Sequence, residues 1–126
     1  MPLERCLEEL CLSEPERVRK VHEAYVEAGA QLIETNTFGA NGVRLERFGF
    51  GAKTHEINAA AARLAKQAAT SKNVAVAGSV GPLGISEDEA RERGIDRIAV
   101  FAEQISGLLD GGVMQSFSRP SLIMKS

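Results

Sequence analysis

The chain is 126 residues long, 44% hydrophobic and 25% charged, with a formal net charge of -2. That composition fits one globular domain with a modest core and sets aside the disordered and fibrous classes. A charge so near zero gives no electrostatic ground for nucleic acid or an anionic membrane as partner, and no stretch nears the ~18 apolar residues of a spanning helix.

The opening "MPLERCLEEL" has no signal-peptide pattern, so a cytoplasmic location is the default expectation. Cys6 and Cys11 are too few for a disulfide framework or a closed zinc site. With Leu3, Leu7 and Leu10 they repeat at three- and four-residue steps, which reads as small core hydrophobes on one helical stripe. No metal site is expected from this chain.

Ser13-Glu14-Pro15-Glu16 has the form of a capping box, with proline tolerated in the first turn. Val18, Val21, Tyr25 and Ala28 then predict one apolar helical face, closed by a left-handed cap at Gly29. His22 lies beside that face and reads as a half-buried structural histidine. Gln31 to Thr37 predicts a strand, apolar at its start and polar at its C-terminal end. The glycine-punctuated stretch that follows leaves room for a short helix over 41–47. Thr54 to Ala69 is the clearest helix, with Ile57, Ala60, Ala61, Leu64, Ala65 and Ala68 on one face.

Val74 to Gly78 predicts a second strand that breaks at Gly81-Pro82. Ser86-Glu87-Asp88-Glu89 is another capping box. Asp96 to Asp110 predicts a helix carrying Ile98, Phe101, Ile105 and Leu108 on one side, ended by Gly111-Gly112. Helices alternating with strands are the grammar of α/β units around a parallel sheet. Yet a parallel sheet needs several covered strands, and two are convincing here. After "LLDGGV" a third strand is due, and "MQSFSRPSLIMKS" shows neither the helical nor the strand period. The expectation is therefore a piece of a larger barrel over residues 1–113, with 114–126 an unrelated, disordered tail.

Sites in parallel α/β folds gather where strands end and βα loops begin. Two polar clusters, "ETNTFGANG" and "GSVGPLG", fall there. Thr35, Asn36, Thr37 and Ser79 supply neutral donors and acceptors suited to the carboxylate and amine of a small zwitterion. The alternative is that these side chains cap helices and satisfy loop backbone. No hydroxyl has an accompanying histidine or second acid, so no catalytic residue is expected. Gly78, Gly81 and Gly84 lie three apart, which is not the order of a dinucleotide-binding loop.

The run "LERCLEELCLSEPERVRKVHEAYVEAGAQLIETNTFGAN", continued by "EINAAAARLAKQAA" and "VAVAGSVGPLG", resembles the homocysteine S-methyltransferase family over roughly residues 3 to 113. The wording is similar to bacterial proteins that join this domain to a methylenetetrahydrofolate reductase, and to the homocysteine domain of cobalamin-dependent methionine synthase. The resemblance implies a (βα)8 TIM barrel in which a methyl group passes to the sulfur of homocysteine, giving methionine. It also implies a Zn2+ held by three cysteines, with folate or cobalamin engaged through other domains. By position, Thr35, Asn36 and Thr37 correspond to the homocysteine-facing end of the family's second strand, and Ser79 to that of its third.

The family's first strand, an Asp-Gly-Ala-Met-Gly type motif, has no counterpart here. Neither has its fourth strand, ending in Glu-Thr, or its zinc cysteines, which Cys6 and Cys11 do not match. The expectation is thus the first three to four βα units without the first strand: a homocysteine-binding fragment, inactive alone, that could self-associate through open barrel edges. A non-catalytic amino-acid binding module and a non-functional truncated product are the other readings.

Overall fold

The computed structural model describes residues 6–113 and 122–124. A short helix, α1 (Leu10–Ser13), leads into α2 (Pro15–Glu27). Proline at the first position of α2 is preset for the helical φ and lacks only a donor that would go unused. The expected capping box does not form. Ser13 closes α1 and donates its hydroxyl to Glu9 Oε1 at 3.0 Å, so Glu14 takes the N-cap without a side-chain bond. The C-terminus is as expected. Gly29 stands at φ +100°, Ala30 N–H donates to Tyr25 O at 3.0 Å, and Gly29 N–H donates to Val26 O at 3.1 Å. That pairing is the Schellman closure.

The face that α2 buries differs from the expected stripe. Val18, His22 and Val26, at four-residue steps, are buried, whereas Val21 and Tyr25 are 56% and 61% exposed. His22, expected beside the apolar face and half-buried, lies at its centre and is 7% exposed. Burial keeps it neutral, lowering its pKa from 6.5.

After α2 come β1 (Leu32–Glu34), α3 (Gly42–Glu46), a single 3-10 turn (Gly51–Lys53) and α4 (Thr54–Thr70). Then follow β2 (Ala75–Val80), α5 (Glu87–Glu92), α6 (Arg97–Asp110) and β3 (Leu122–Met124). Three helices start on side-chain caps. Asn41 accepts from Arg44 N–H at 3.0 Å, Ser86 from Glu89 N–H at 3.0 Å, and Asp96 from Ala99 N–H at 3.2 Å. β1 and β2 are parallel, with Leu32 opposite Ala75 and Glu34 opposite Ala77. The C-terminal half of β2 pairs with β3, again in parallel, with Gly78 opposite Leu122 and Val80 opposite Met124. Of the segment 114–126, expected as a disordered tail, only these three residues fall within the described part, and there the backbone is a paired strand.

The core is organised by α4, eleven of whose seventeen residues are buried. Ala61 and Leu64 pack with Cys11 and Val18, Ala65 and Ala69 with Val26 and Ile33, and Ala62 with Val80 and Leu108. All six residues of its expected face are among the buried ones. These contacts fix the two faces of the sheet. Ile33 and Val76 point toward the helices, and so does Val80. By the two-residue alternation, Leu32, Glu34, Ala75, Ala77 and Ser79 lie on the opposite face.

Candidate functional site at the strand ends

Pairing continues one residue beyond β1, since Thr35 N–H donates to Ala77 O at 2.9 Å. Side chains then replace the ladder. Thr37 Oγ1 donates to Ser79 O at 2.6 Å, and Thr35 Oγ1, 2.6 Å from Thr37 Oγ1, accepts from Ser79 N–H at 3.0 Å. The hydroxyl protons follow from this geometry. Thr37 uses its proton on Ser79 O, so Thr35 must donate to Thr37. Both threonines and Ser79 are buried, at 4%, 1% and 4% exposure. A buried, fully paired network of this kind holds the two strand ends in a single arrangement.

Asn36 stands apart from this network. Its Nδ2 donates to Leu7 O at 2.8 Å and lies 3.8 Å from Cys11 Sγ, anchoring the segment before α1. The structure thus brings Thr35, Thr37 and Ser79 together and turns the amide of Asn36 toward the N-terminal segment.

Residues that sequence reasoning passed over hold the two loops above the strand ends. Asn58 Nδ2 donates to Ala40 O at 2.8 Å and Gln104 Nε2 to Thr37 O at 2.8 Å, both from fully buried positions. Neither interrupts its helical pattern in a way that marks it. Pro82 O receives two donors from the start of α3, Asn41 Nδ2 at 3.2 Å and Arg44 Nε at 2.9 Å. Arg47 reaches Gly84 O at 2.5 Å. Asn41 could have been found, because an asparagine directly before a helix is a common N-cap. Gly81 must be glycine here: a Cβ would lie 2.6 Å from Phe38 O and 2.9 Å from the Phe38 ring.

Cys6 and Cys11 are both buried, as expected, although Leu7 of their stripe is 59% exposed. Burial raises both thiol pKa values, that of Cys11 to about 11, against a smaller opposing effect from the Asn36 amide. A thiol in that state is inert and a poor metal ligand. Among the described residues no group of three or more histidines, cysteines or acids could hold a metal ion. The described side chains do not fit a zinc centre. No helix of the described residues is long and apolar enough to cross a membrane.

The family model described as homocysteine S-methyltransferase matches residues 3–115. Among solved structures, the homocysteine methyltransferase MmuM from Escherichia coli in its oxidised form is 26% identical with a TM-score of 0.64. That match covers 89% of this chain and 44% of that one. The metallated form of MmuM is 27% identical with a TM-score of 0.63, over 82% of this chain and 42% of that one. This chain therefore spans less than half the length of the solved structures it matches.

Proposed function

Because the chain belongs to the homocysteine S-methyltransferase family, we propose that its strand ends form part of the pocket that holds homocysteine while its sulfur is methylated to give methionine. The parallel strands are then consecutive staves of a (βα)8 barrel, and the substrate lies at their C-terminal ends. The observation that carries this reading is the joining of β1 and β2 by the Thr35–Thr37–Ser79 network at that end of the sheet. Preorganised polar groups on rigid elements are what a small zwitterionic ligand requires.

The four candidate residues divide by role. Ser79 lies on the face opposite the helices, and Asn36 keeps its carbonyl oxygen after its amide is committed to Leu7 and Cys11. These two are the groups that touch substrate. Thr35 and Thr37 act through the network, by fixing where Ser79 sits. Thiol activation falls to groups outside the described residues, so this part binds substrate and does not turn it over.

The test is calorimetric titration of this chain with homocysteine, accompanied by an assay for methionine. Ser79→Ala and Asn36→Ala should each weaken binding by about 1.5–3 kcal/mol, the worth of a hydrogen bond to a charged group. Thr35→Val should lower the melting temperature as well as affinity. If Ser79→Ala and Asn36→Ala leave affinity unchanged, the cluster belongs to loop and cap satisfaction and the proposal fails.

A further inference from the structure

From the surroundings of its guanidinium, we propose that Arg44 binds the carboxylate of the amino-acid substrate. This rests on the homocysteine-pocket reading above and adds to it the residue that reads the acid group. Arg44 projects from α3 at the C-terminal end of the strands, half-buried. Its guanidinium is held on two sides. Nε donates to Pro82 O at 2.9 Å, and Cζ lies 5.9 Å from the centroid of the Phe38 ring, within cation–π range. Phe38 itself packs on Gly81, where β2 ends, so the pair stands over the ends of both strands.

What Arg44 lacks is an anion. Arg17, Arg19, Arg91, Arg93 and Arg97 each pair with a glutamate or aspartate on the surface. Arg44 has no acidic partner among the described residues, and unlike Arg47 and Arg63, which also lack one, it is half-buried rather than exposed to solvent. The carboxylate beside it is Glu8, which packs against Gly39 together with the Arg44 stem. Glu8 accepts from Gly39 N–H at 3.0 Å and lies 3.7 Å from Cys6 Sγ, and it forms no ion pair with Arg44. A half-desolvated cation without a direct ion pair is poorly compensated by itself and gains when a carboxylate meets it in hydrogen-bonding geometry. With Nε committed to Pro82, the terminal nitrogens remain to meet that carboxylate in a fixed plane, which a flexible lysine could not reproduce.

The experiment compares homocysteine with 3-aminopropane-1-thiol, which keeps thiol and amine but has no carboxylate. Binding of each is measured to the full chain and to Arg44→Met, Arg44→Gln and Arg47→Met. The wild-type chain should prefer homocysteine, and Arg44→Met should remove that preference, weakening homocysteine roughly 10- to 100-fold with little effect on the aminothiol. Arg47, which also holds a loop carbonyl, serves as control, and Arg47→Met should leave the preference intact. If Arg44→Met does not fold, Arg44→Gln decides by the same ratio. Equal weakening of both ligands, or the same loss in Arg47→Met, would mean that Arg44 only clasps the loop, and the proposal falls. A wild-type chain that binds both ligands equally overturns the Arg44 assignment alone. One that binds neither overturns the homocysteine-pocket reading and this inference together.

Discussion

Two helices flank β1, and they are built on opposite principles. In α4 eleven of seventeen residues are buried, mostly alanines, because its small side chains let α2, α6 and the strands approach it from several directions at once. In α2 three of thirteen residues are buried, and two larger apolar side chains, Val21 and Tyr25, face outward. With Leu7 and Leu32 they line an open groove of about 610 Å³ beside β1. Small side chains thus make the organising helix, while the larger ones of α2 contribute less because geometry leaves them uncovered. Hydrophobicity by itself does not decide which helix holds a fold; the number of surfaces it can meet does.

The contrast can be broken at its strong side. Ile57 is fully buried on α4 in a cluster with Cys6, Ala40 and Leu45. Ile57→Ala should destabilise the chain by about 2–5 kcal/mol, combining lost transfer energy with a cavity that close packing cannot collapse. Denaturant unfolding would measure it. A loss below about 1 kcal/mol would show that the α4 core is loose and the contrast overdrawn.

A second measurement probes the one polar member of the buried face of α2. Burial lowers the pKa of His22 from 6.5, so the unfolded chain takes up a proton before the folded one does. The sign follows by linkage. Above pH 6.5 both states are neutral and His22 exerts no pH dependence; as pH falls from 6.5 toward the lower folded value, stability is lost, and below that value the loss levels off. Melting temperature measured from pH 7.5 downward should therefore fall in the wild type, and His22→Leu should flatten that part of the curve. An unchanged slope in the variant would mean that His22 is hydrated and titrates normally.

The helix lengths and the α/β order were legible in the sequence because alanine-rich periodicity and terminal caps are local signals. Ser86 caps as its pattern suggests, and Gly29 and Gly112 close their helices with positive φ. What was not legible is tertiary. The buried face of α2 passes through His22 rather than Val21, and Ile98, expected on the inner side of α6, is 82% exposed. Ser13 found a partner in Glu9 one turn back, and so lost its cap role. At the candidate site, the polar cluster itself was visible from residue type. Its internal wiring was not, since pairing Thr35 and Thr37 with Ser79 joins residues more than forty positions apart.

The smallest expected effect tests the weak side of the comparison. Val21 and Tyr25 are more than half exposed, and neither belongs to a cluster of buried residues. Substituting an exposed side chain away from caps, ion pairs and strained backbone changes stability by about 0.5 kcal/mol or less. Val21→Ser and Tyr25→Ser should each fall within that limit by denaturant unfolding, because each side chain has little to lose. A cost of 2 kcal/mol or more, the range of a buried large-to-small change, would mean that this face is covered in solution. The groove beside β1 would then be an interior surface like that of α4, and the distinction between the two helices would vanish.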